Sequence, residues 1–363
     1  MGERRRKDHF HWPLIVSTLA ALLSGLTNLY SAAYATQPGY FYTQLAWSGL
    51  AIVFGFMVFL ADYRIYERVA YIFFGIVVLM LIGAFFSRSV AATHRWLVIG
   101  AFRIQPSELM KVVMVLTLAK YFHNSPAPKD GYSIWQLRRI WLVVFIPLLM
   151  ILKQPDLGTA MLLGAISFTI LLFVKIRLRH LMILVMIFLV LVPISWHYVL
   201  KDYQKNRILT LFDPDSDPRG TGYHRRQSII AVGSGQLYGK GFMEGTQTQL
   251  RFLPEQHTDF IFSVWAEEQG FIGSMGLLLF YLTIILSGIH IASRAREKFG
   301  VLLAVGATAV IFWHVFINIG MVTGILPVVG VTLPLMSYGG SSLVTTLTCV
   351  ALLLNVYARR HLF

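Results

Sequence analysis

The sequence has few charged residues and almost no cysteine. Only 13% of its 363 residues are Asp, Glu, Lys or Arg, against about 25% in soluble globular domains. The one cysteine, Cys349, lies in an apolar run, which excludes a disulfide framework and a cysteine metal site. With 56% hydrophobic residues and a mean hydropathy of +0.65, the composition excludes an ordinary soluble domain and indicates a membrane protein.

Acidic residues are scarcer than basic ones, which gives a net charge of +14. In a soluble protein such an excess would suggest a nucleic-acid partner. Here the basic residues fall mostly in short segments between apolar runs, which is the positive-inside pattern of inner-membrane proteins. We therefore expect a membrane and no nucleic acid, with residues 1–11 as a cytoplasmic flank and not a cleaved signal.

Ten apolar segments approach or exceed the length of a transmembrane helix, about 20 residues. The prediction is an all-α membrane protein, a single polytopic domain over residues 1–363 with about ten spans. An even number of spans places both termini in the cytoplasm, in agreement with the basic clusters at Arg4–Lys7 and Arg359–Arg360. The segments are 13–33, 44–61, 69–86, 107–123, 139–152, 157–174, 180–199, 260–291, 300–323 and 341–358.

One long outward loop, residues 200–260, separates the seventh span from the eighth. Plain connections rarely exceed about 12–15 residues, so a loop of this length indicates a function. It carries several cations, Arg207 and Lys240 among them. Gln227 opens an apolar stretch that ends in glycines at Gly235. This stretch is too short to span and predicts a re-entrant or interfacial helix.

Two oppositely charged residues lie inside the fourth apolar segment. Pro106 and Ser107 mark a helix start, and Glu108 and Lys111 then stand at i and i+3, where their side chains can pair. An ion pair within the membrane is a candidate functional site, although it is equally a low-energy way to bury a charge between two helices. Both roles remain open from the sequence.

Single carboxylates stand at two predicted helix starts. Asp156, in a short outward turn, is either an N-cap or part of a polar network. Asp259 lies at the mouth of the eighth span, where partial desolvation raises the pKa of a carboxyl toward that of a general base. The alternative is that Thr258 or Asp259 caps the helix. Glu267, further along that helix, must face protein or a cavity.

Residues 318–342 combine prolines and glycines with an apolar setting. This pattern predicts a broken outward hairpin that lines a cavity. The stretch Gly339-Gly340-Ser341 opens the last helix and offers backbone amides to an anion such as phosphate. Together with the cations, these residues suggest an anionic amphiphile that docks from the bilayer. The residues alone leave open whether the protein transfers a group on a lipid-linked diphosphate or transports that lipid. A transporter of a soluble substrate also stays open, although the sequence shows no clear inverted repeat.

At these positions the sequence resembles the SEDS family (shape, elongation, division and sporulation), and its elongation branch more than its division branch. The matching pieces occur in order along nearly the whole chain, which makes the set specific although each piece is short. They are His94-Arg95-Trp96, Arg103-Ile104-Gln105-Pro106-Ser107-Glu108, Gln154-Pro155-Asp156-Leu157-Gly158-Thr159, Gly239-Lys240-Gly241, Leu253-Pro254-Glu255-Gln256-His257-Thr258-Asp259-Phe260 and Leu333-Pro334-Leu335-Met336-Ser337-Tyr338-Gly339-Gly340.

The resemblance implies a peptidoglycan glycosyltransferase that polymerises lipid II with inversion, in partnership with a class B penicillin-binding protein. Asp259 would be the essential carboxylate, as general base or as ligand of a divalent cation (Mg²⁺ or Mn²⁺), and no organic cofactor is implied. Candidates for the leaving diphosphate are Arg103, Lys111, Arg207, Lys240, Ser337, Gly339, Gly340 and Ser341. Residues expected to organise the cavity are Trp96, Glu108, Asp156, Gln227, His257, Thr258 and Glu267.

Two other functions compete with this one. A lipid II flippase would also use a cationic cavity, but it should carry charged residues along both halves of its pathway. Here the unexplained polar residues lie almost entirely on the outward side, which favours an enzyme. A structural scaffold for the penicillin-binding protein would leave the pair Glu108 and Lys111 unexplained.

Overall fold

The computed structural model describes residues 10–34, 37–87, 95–99, 102–125, 128–198, 200–213, 217, 220–250, 252–253 and 255–360. The N-terminal cluster Arg4–Lys7 and the motif residues His94 and Pro254 lie outside these ranges.

The named secondary-structure elements in the described part of the chain are helices apart from one short β-hairpin. The helices are α1 (Trp12–Tyr34), α2 (Gly39–Leu60), α3 (Tyr63–Phe86), α4 (Pro106–Asn124), α5 (Arg138–Lys153), α6 (Leu157–Phe173), α7 (Leu178–Tyr198), α8 (Asp202–Phe212), α9 (Thr221–Ser234), α10 (Thr246–Gln249), α11 (Ile261–Arg294), α12 (Lys298–Val322) and α13 (Gly340–Arg359). The strands are β1 (Leu97–Ile99) and β2 (Phe102–Ile104).

A helix occupies each of the ten apolar segments predicted from the sequence. Six helices, α1, α2, α3, α11, α12 and α13, are long and apolar enough to cross a membrane. The chain is therefore an all-α, multi-pass membrane protein. The count of ten spans stays a prediction, because α4 carries charged residues and α5 and α6 are short for a full crossing.

Helix α12 lies at the centre of the bundle, in contact with α4, α6, α11 and α13. In its most apolar window 78% of the residues are buried, whereas in α3 only 22% are. The exposed residues of α3 are themselves large and apolar, Ile72 and Leu79 among them. Since hydrocarbon is as apolar as these side chains, this outer surface suits lipid contact.

Helix α11 is broken at Gly270, whose φ of +64° no helical residue adopts. The loop before it supplies the missing backbone partners: the amides of Phe271 and Ile272 donate to the carbonyls of Gln236 and Leu237 at 2.8 and 3.1 Å. On the other side of the break, the amide of Lys240 donates to the Glu267 carbonyl at 3.0 Å. Loop 235–241 therefore completes the hydrogen bonding of an interrupted helix, which an apolar environment requires.

Candidate active site around Asp259

Three hydrogen bonds fix the backbone of residues 257–259, just before α11. The amide of Tyr338 donates to the His257 carbonyl at 2.9 Å, and the Ser337 hydroxyl donates to the Thr258 carbonyl at 2.6 Å. Asn318, on α12, donates to the Asp259 carbonyl at 2.9 Å and to the Val331 carbonyl at 2.6 Å. The turn that carries Asp259 is thus held against residues 323–339, the non-helical connection between α12 and α13.

The side chain of Asp259 is not used to cap a helix. Phe260 occupies the N-cap position of α11, and no side chain accepts a hydrogen bond there. The sequence-based alternative that Thr258 or Asp259 caps this helix is therefore wrong. Tertiary hydrogen bonds fix the turn 255–260, and the helix begins only after it, at Ile261. The carboxylate instead lies beside Gly330, where an added Cβ would stand 3.2 Å from Asp259 Oδ2.

Burial raises the pKa of Asp259 to about 6, and the nearby Glu255 carboxylate adds to the shift. Arg207 and Arg95 oppose it, and Asp156 reinforces it. These charges come from different parts of the chain, so the structure gathers them around one carboxyl. A carboxylate with a pKa near 6 is a stronger base than ordinary aspartate and is still mostly ionised at pH 7.

Asp156 accepts two hydrogen bonds close to this turn. Its Oδ1 accepts from the Thr159 amide at 3.2 Å, which confirms the N-cap of α6, and its Oδ2 accepts from Gln105 Nε2 at 3.3 Å. Arg95 Nη1 lies 4.0 Å from Asp156 Oδ2, and Arg95 Nε donates to the Gln154 carbonyl at 3.0 Å. Asp156 thus joins the start of α6 to the segments that flank the β-hairpin.

The start of α6 also packs directly against the connection 323–339. A Cβ at Gly158 would stand 2.6 Å from the Val329 carbonyl oxygen, so only glycine permits this approach. Val329 precedes Gly330, the residue beside Asp259. The two sequence motifs that contain Asp156 and Asp259 therefore meet across one short stretch of backbone.

A buried ion pair lies on α4. Lys111 Nζ is 2.7 Å from Glu108 Oε1, which confirms the pairing predicted from their spacing. Lys111 is fully buried and its Nζ also lies 2.6 Å from His314 Nε2 on α12. His314 Nδ1 lies 3.1 Å from the Thr332 carbonyl oxygen. A diphosphate ligand would have to reach a side chain with no exposed surface, so this geometry favours an organising role for Lys111.

His314 was not found from the sequence. It is one histidine in the apolar run of α12, and its contact with Lys111 joins residues 203 apart in the chain. No spacing between neighbouring residues in the sequence predicts the contact between Lys111 and His314. The only signal in the sequence is an ionisable side chain inside a predicted span, which marks a functional candidate in general.

Glu267 is fully buried and forms the centre of a second polar cluster. Lys240 Nζ lies 2.7 Å from Glu267 Oε1, and the Gln247 amide donates to the same oxygen at 3.0 Å. Glu267 Oε2 accepts from the hydroxyl and the amide of Thr248 at 3.1 and 3.3 Å. The expectation that Glu267 faces protein or a cavity is confirmed. The ammonium of Lys240 also donates to Thr246 Oγ1 at 2.7 Å, so it forms two hydrogen bonds within this cluster.

The glycine-rich start of α13 is confirmed, since the helix begins at Gly340 with Gly339 as N-cap. The Gly339 amide donates to Gln44 Oε1 at 3.1 Å. The hydroxyl of Ser341 accepts from the Gln105 amide at 3.3 Å. Of the predicted anion-binding stretch, therefore, one amide and one hydroxyl already serve contacts between segments.

Four further residues predicted from the sequence are His257, Arg103, Trp96 and Gln227. His257 stacks on Tyr40 at a centroid distance of 4.6 Å, and burial lowers its pKa, so it is neutral at pH 7. Arg103, on β2, is exposed and lies close enough to Tyr338 to affect its pKa. Trp96 precedes β1 and is half-buried, as is Gln227 on α9.

The described residues contain no group of three or more His, Cys, Asp or Glu side chains that could hold a metal ion. Glu255 and Asp156 are charges near Asp259, but Asp156 already accepts hydrogen bonds from Thr159 and Gln105. Mg²⁺ is commonly held by one or two carboxylates together with substrate phosphates. The described residues thus fit a cation only as a partner of bound diphosphate.

Comparisons with known proteins give one consistent family. The model of the FtsW/RodA/SpoVE family, described as cell cycle protein, matches residues 12–362. The chain is 41% identical to peptidoglycan glycosyltransferase MrdB of Escherichia coli K12, over 82% of this chain and 80% of that protein. It is 36% identical to stage V sporulation protein E of Bacillus subtilis 168, over 94% and 95% of the two chains.

A solved structure shares the fold over nearly the full length. It comes from a study of the structural coordination of polymerization and crosslinking by a peptidoglycan synthase complex. The matched chain superposes with a TM-score of 0.83 at 31% identity, covering 97% of this chain and 98% of that one.

Proposed function

The chain belongs to the FtsW/RodA/SpoVE family of cell cycle proteins, and we propose that the site around Asp259 is its glycosyl-transfer centre. The protein is a peptidoglycan glycosyltransferase of the RodA type: its Escherichia coli relative is named peptidoglycan glycosyltransferase MrdB, and its Treponema pallidum relative is named peptidoglycan glycosyltransferase RodA. The observation that carries the assignment of the site is the state of Asp259: its backbone is fixed, its carboxylate caps no helix, and burial raises its pKa to about 6.

The substrate that fits this site is lipid II, a disaccharide-peptide joined to a lipid through diphosphate. In the proposed step Asp259 accepts the proton of the acceptor sugar's 4-hydroxyl, and that oxygen attacks the anomeric carbon of the donor. The bond between the anomeric carbon and the diphosphate oxygen breaks, and its electron pair leaves with the lipid diphosphate. A single displacement inverts the α-linked donor to a β-1,4 bond, so a second catalytic carboxylate is not needed.

The leaving diphosphate gathers negative charge that cations must stabilise. Arg95 and Arg207 are the two guanidinium groups that act on the pKa of Asp259, and Arg103 is exposed on β2 near Tyr338. Guanidinium suits this role because it binds phosphate oxygens through two parallel hydrogen bonds. A divalent cation, if one is used, would add charge at the same diphosphate.

The cellular setting follows from the family and from charge. We propose an inner-membrane protein of ten spans with both termini in the cytoplasm and the Asp259 site on the outer side, since the basic ends of α11 and α13 then lie inside. A class B penicillin-binding protein would crosslink the glycan strands. This pairing is supported by the matched structure, which comes from a complex that coordinates polymerization with crosslinking.

The test is polymerisation of labelled lipid II by the full chain in liposomes, with and without the penicillin-binding partner and Mg²⁺ or Mn²⁺. Asp259→Asn and Asp259→Ala should abolish glycan chains while the protein remains folded by size exclusion. Asp130→Asn is the matched control, because Asp130 has a side chain 83% exposed and lies outside the site. Chain formation by Asp259→Asn at the wild-type rate would refute the assignment. Transfer of labelled lipid II across the bilayer without chains would instead support the flippase.

A further inference from the structure

Asn318, on the central helix α12, is a fully buried amide that reaches the turn carrying Asp259. Its Nδ2 donates to the Asp259 carbonyl at 2.9 Å and to the Val331 carbonyl at 2.6 Å. Its Oδ1 accepts no hydrogen bond from the described residues. The reverse orientation of the amide would place Oδ1 against two carbonyl oxygens, so these two donations determine how the side chain is oriented.

Through these two bonds Asn318 joins Asp259 to the backbone that passes its carboxylate. Gly330 is the residue beside that carboxylate, since an added Cβ there would stand 3.2 Å from Asp259 Oδ2. Its φ of +74° turns the chain at this point, and Val331 follows directly. The hydrogen bonds that the connection itself gives to the turn reach the carbonyls of residues 257 and 258. The contact made by Asn318 is on residue 259 itself.

A buried amide can serve the stability of the fold alone, and Asn355 is an example. It is fully buried in the last turns of α13, where its Nδ2 donates to the Ala61 carbonyl at 2.6 Å and its Oδ1 accepts from Arg359 at 2.7 Å. Both ends of that amide are used. Asn318 differs, because it leaves a buried acceptor unpaired, which is unfavourable. Its favourable hydrogen bonds are the two that fix the surroundings of Asp259.

We propose that Asn318 is a positioning residue for glycosyl transfer, which holds the Asp259 carboxylate where it accepts the proton of the acceptor sugar. This inference rests on the proposed function of the site. A general base must lie within about 2.6–3.2 Å of the oxygen whose proton it takes. A displacement of about 1 Å lowers such a rate by about 100-fold. Asn318 touches no reacting atom and acts only through Asp259.

The same hydrogen bond affects the environment of the Asp259 carboxyl. Burial is the main cause that raises its pKa to about 6. Charged groups from four parts of the chain contribute as well, and they are Glu255, Arg207, Asp156 and Arg95. Asn318 carries no charge, so its replacement leaves all of these groups in place. A turn released from α12 would let the carboxyl move toward water, and its pKa should then fall toward the ordinary value of 3.8.

The experiment compares Asn318→Leu, Asn318→Ser and Asn355→Leu with wild type in the liposome polymerisation assay. For Asn318→Leu we expect kcat to fall about 100-fold with KM for lipid II within about twofold, and the pH midpoint of kcat/KM to fall by about one unit or more. The serine hydroxyl donates to only one carbonyl, so Asn318→Ser should lie between wild type and the leucine variant. It also carries the test if Asn318→Leu does not fold.

Asn355→Leu is the matched control, because it also removes a buried amide that donates to backbone carbonyls, near the last turn of α13. It should lower the thermal denaturation temperature and leave kcat and the pH midpoint of the folded protein near wild type. An equal loss of kcat in Asn355→Leu and Asn318→Leu would overturn the proposal, since the effect would then be general destabilisation. Wild-type kcat and midpoint in both folded Asn318 variants would overturn it as well.

A second measurement does not depend on turnover. Carbodiimides modify protonated carboxyl groups, so the fraction of Asp259 modified at each pH, measured by peptide mass spectrometry, gives its titration midpoint directly. This midpoint should lie near 6 in wild type and Asn355→Leu and lower in the Asn318 variants. An unchanged midpoint in the Asn318 variants would overturn the positioning role alone. Absence of glycan chains from wild type, with the midpoint lowered as expected, would instead overturn the proposed function and support the hold of Asn318 on Asp259.

Discussion

Lys111 Nζ lies 2.6 Å from His314 Nε2, so the ammonium of α4 donates both to Glu108 and to a histidine of α12. With Nε2 as acceptor, Nδ1 carries the proton and donates to the Thr332 carbonyl at 3.1 Å. His314 therefore connects the buried ion pair to the backbone connection that holds the Asp259 turn. This series of hydrogen bonds joins four segments of the chain: α4, α12, residues 323–339 and the turn that carries Asp259.

Replacing His314 by Leu should destabilise the protein, because one donor of the buried Lys111 ammonium and the Thr332 carbonyl each lose their hydrogen bond to the imidazole. Each such loss costs about 1–3 kcal/mol of the free energy of unfolding. The thermal denaturation temperature in detergent measures the effect. His197→Leu is the control, since His197 is exposed near the end of α7. A His314 variant as stable as this control would show that the link contributes nothing.

Activity should depend on the ionisation of Asp259. Because burial raises its pKa to about 6 and the base must be deprotonated, kcat/KM for lipid II should be nearly constant above pH 7. Below pH 6 it should fall about tenfold per pH unit. A polymerisation assay between pH 4.5 and 8 checks this. A rate that stays constant from pH 8 down to pH 4.5 would mean that the rate does not report a carboxyl with this raised pKa.

The same raised pKa lowers the free energy of unfolding at neutral pH. The folded state favours protonated Asp259, so ionisation at neutral pH destabilises the fold relative to the unfolded chain, whose aspartate titrates near 3.8. Asp259→Asn removes this cost. The inactive variant should therefore denature at a higher temperature than wild type at pH 7, and the difference should shrink as the pH falls through 6 toward 3.8. A purely structural aspartate would give a variant that is less stable at pH 7.

Gly158→Ala should reduce activity without removing any polar group. Its Cβ would stand 2.6 Å from the Val329 carbonyl oxygen and push α6 away from the connection beside Asp259. We expect at least a tenfold loss of kcat with a smaller effect on KM, since about 1.4 kcal/mol of lost transition-state stabilisation suffices. Gly164→Ala on the same helix is the control, because its nearest neighbour would be Leu148 at 3.6 Å, an ordinary contact. Equal activity of the two variants would contradict the packing argument.

Lys240→Met tests whether this lysine serves structure or substrate. Its ammonium is the cation paired with the fully buried Glu267, so the variant should lose about 1–3 kcal/mol of stability. The KM for lipid II should change little in the protein that remains folded. Lys205→Met, on the part-exposed face of α8, is the comparison. A large rise in KM with unchanged stability would restore Lys240 as a diphosphate ligand.

Local patterns in the sequence predicted helix positions and the shortest-range contacts. Hydropathy located the ten helical segments, because the length of an apolar run is a property of consecutive residues. The pairing of Glu108 with Lys111 followed from their spacing of three residues, and the cap at Asp156 followed from its position just before an apolar segment. The proximity of Arg95 and Asp156 to Asp259 was not predicted, although all three residues lie in the motifs that resemble the family.

Features that depend on distant segments could not be read from the sequence. The contact between Lys111 and His314 spans 203 residues. The alternative of an N-cap at Thr258 or Asp259 was wrong for the same reason, since Ser337 and Tyr338, which follow α12 in the chain, hold that turn. The break at Gly270 was also missed: a glycine in an apolar run is common, and only the approach of loop 235–241 shows why this one leaves the helix.

That break has a consequence for biosynthesis. A nascent α11 cannot satisfy its own backbone around Gly270, so on its own it would enter the bilayer with open amides and carbonyls. The residues that close them, 235–241, precede α11 in the chain and leave the ribosome before it. The backbone donors and acceptors of residues 235–241 are therefore already synthesised when α11 inserts, and they can pair with its open amides and carbonyls. A circular permutation that placed residues 235–241 after α11 would keep every native contact but would deprive the translocating helix of its partner.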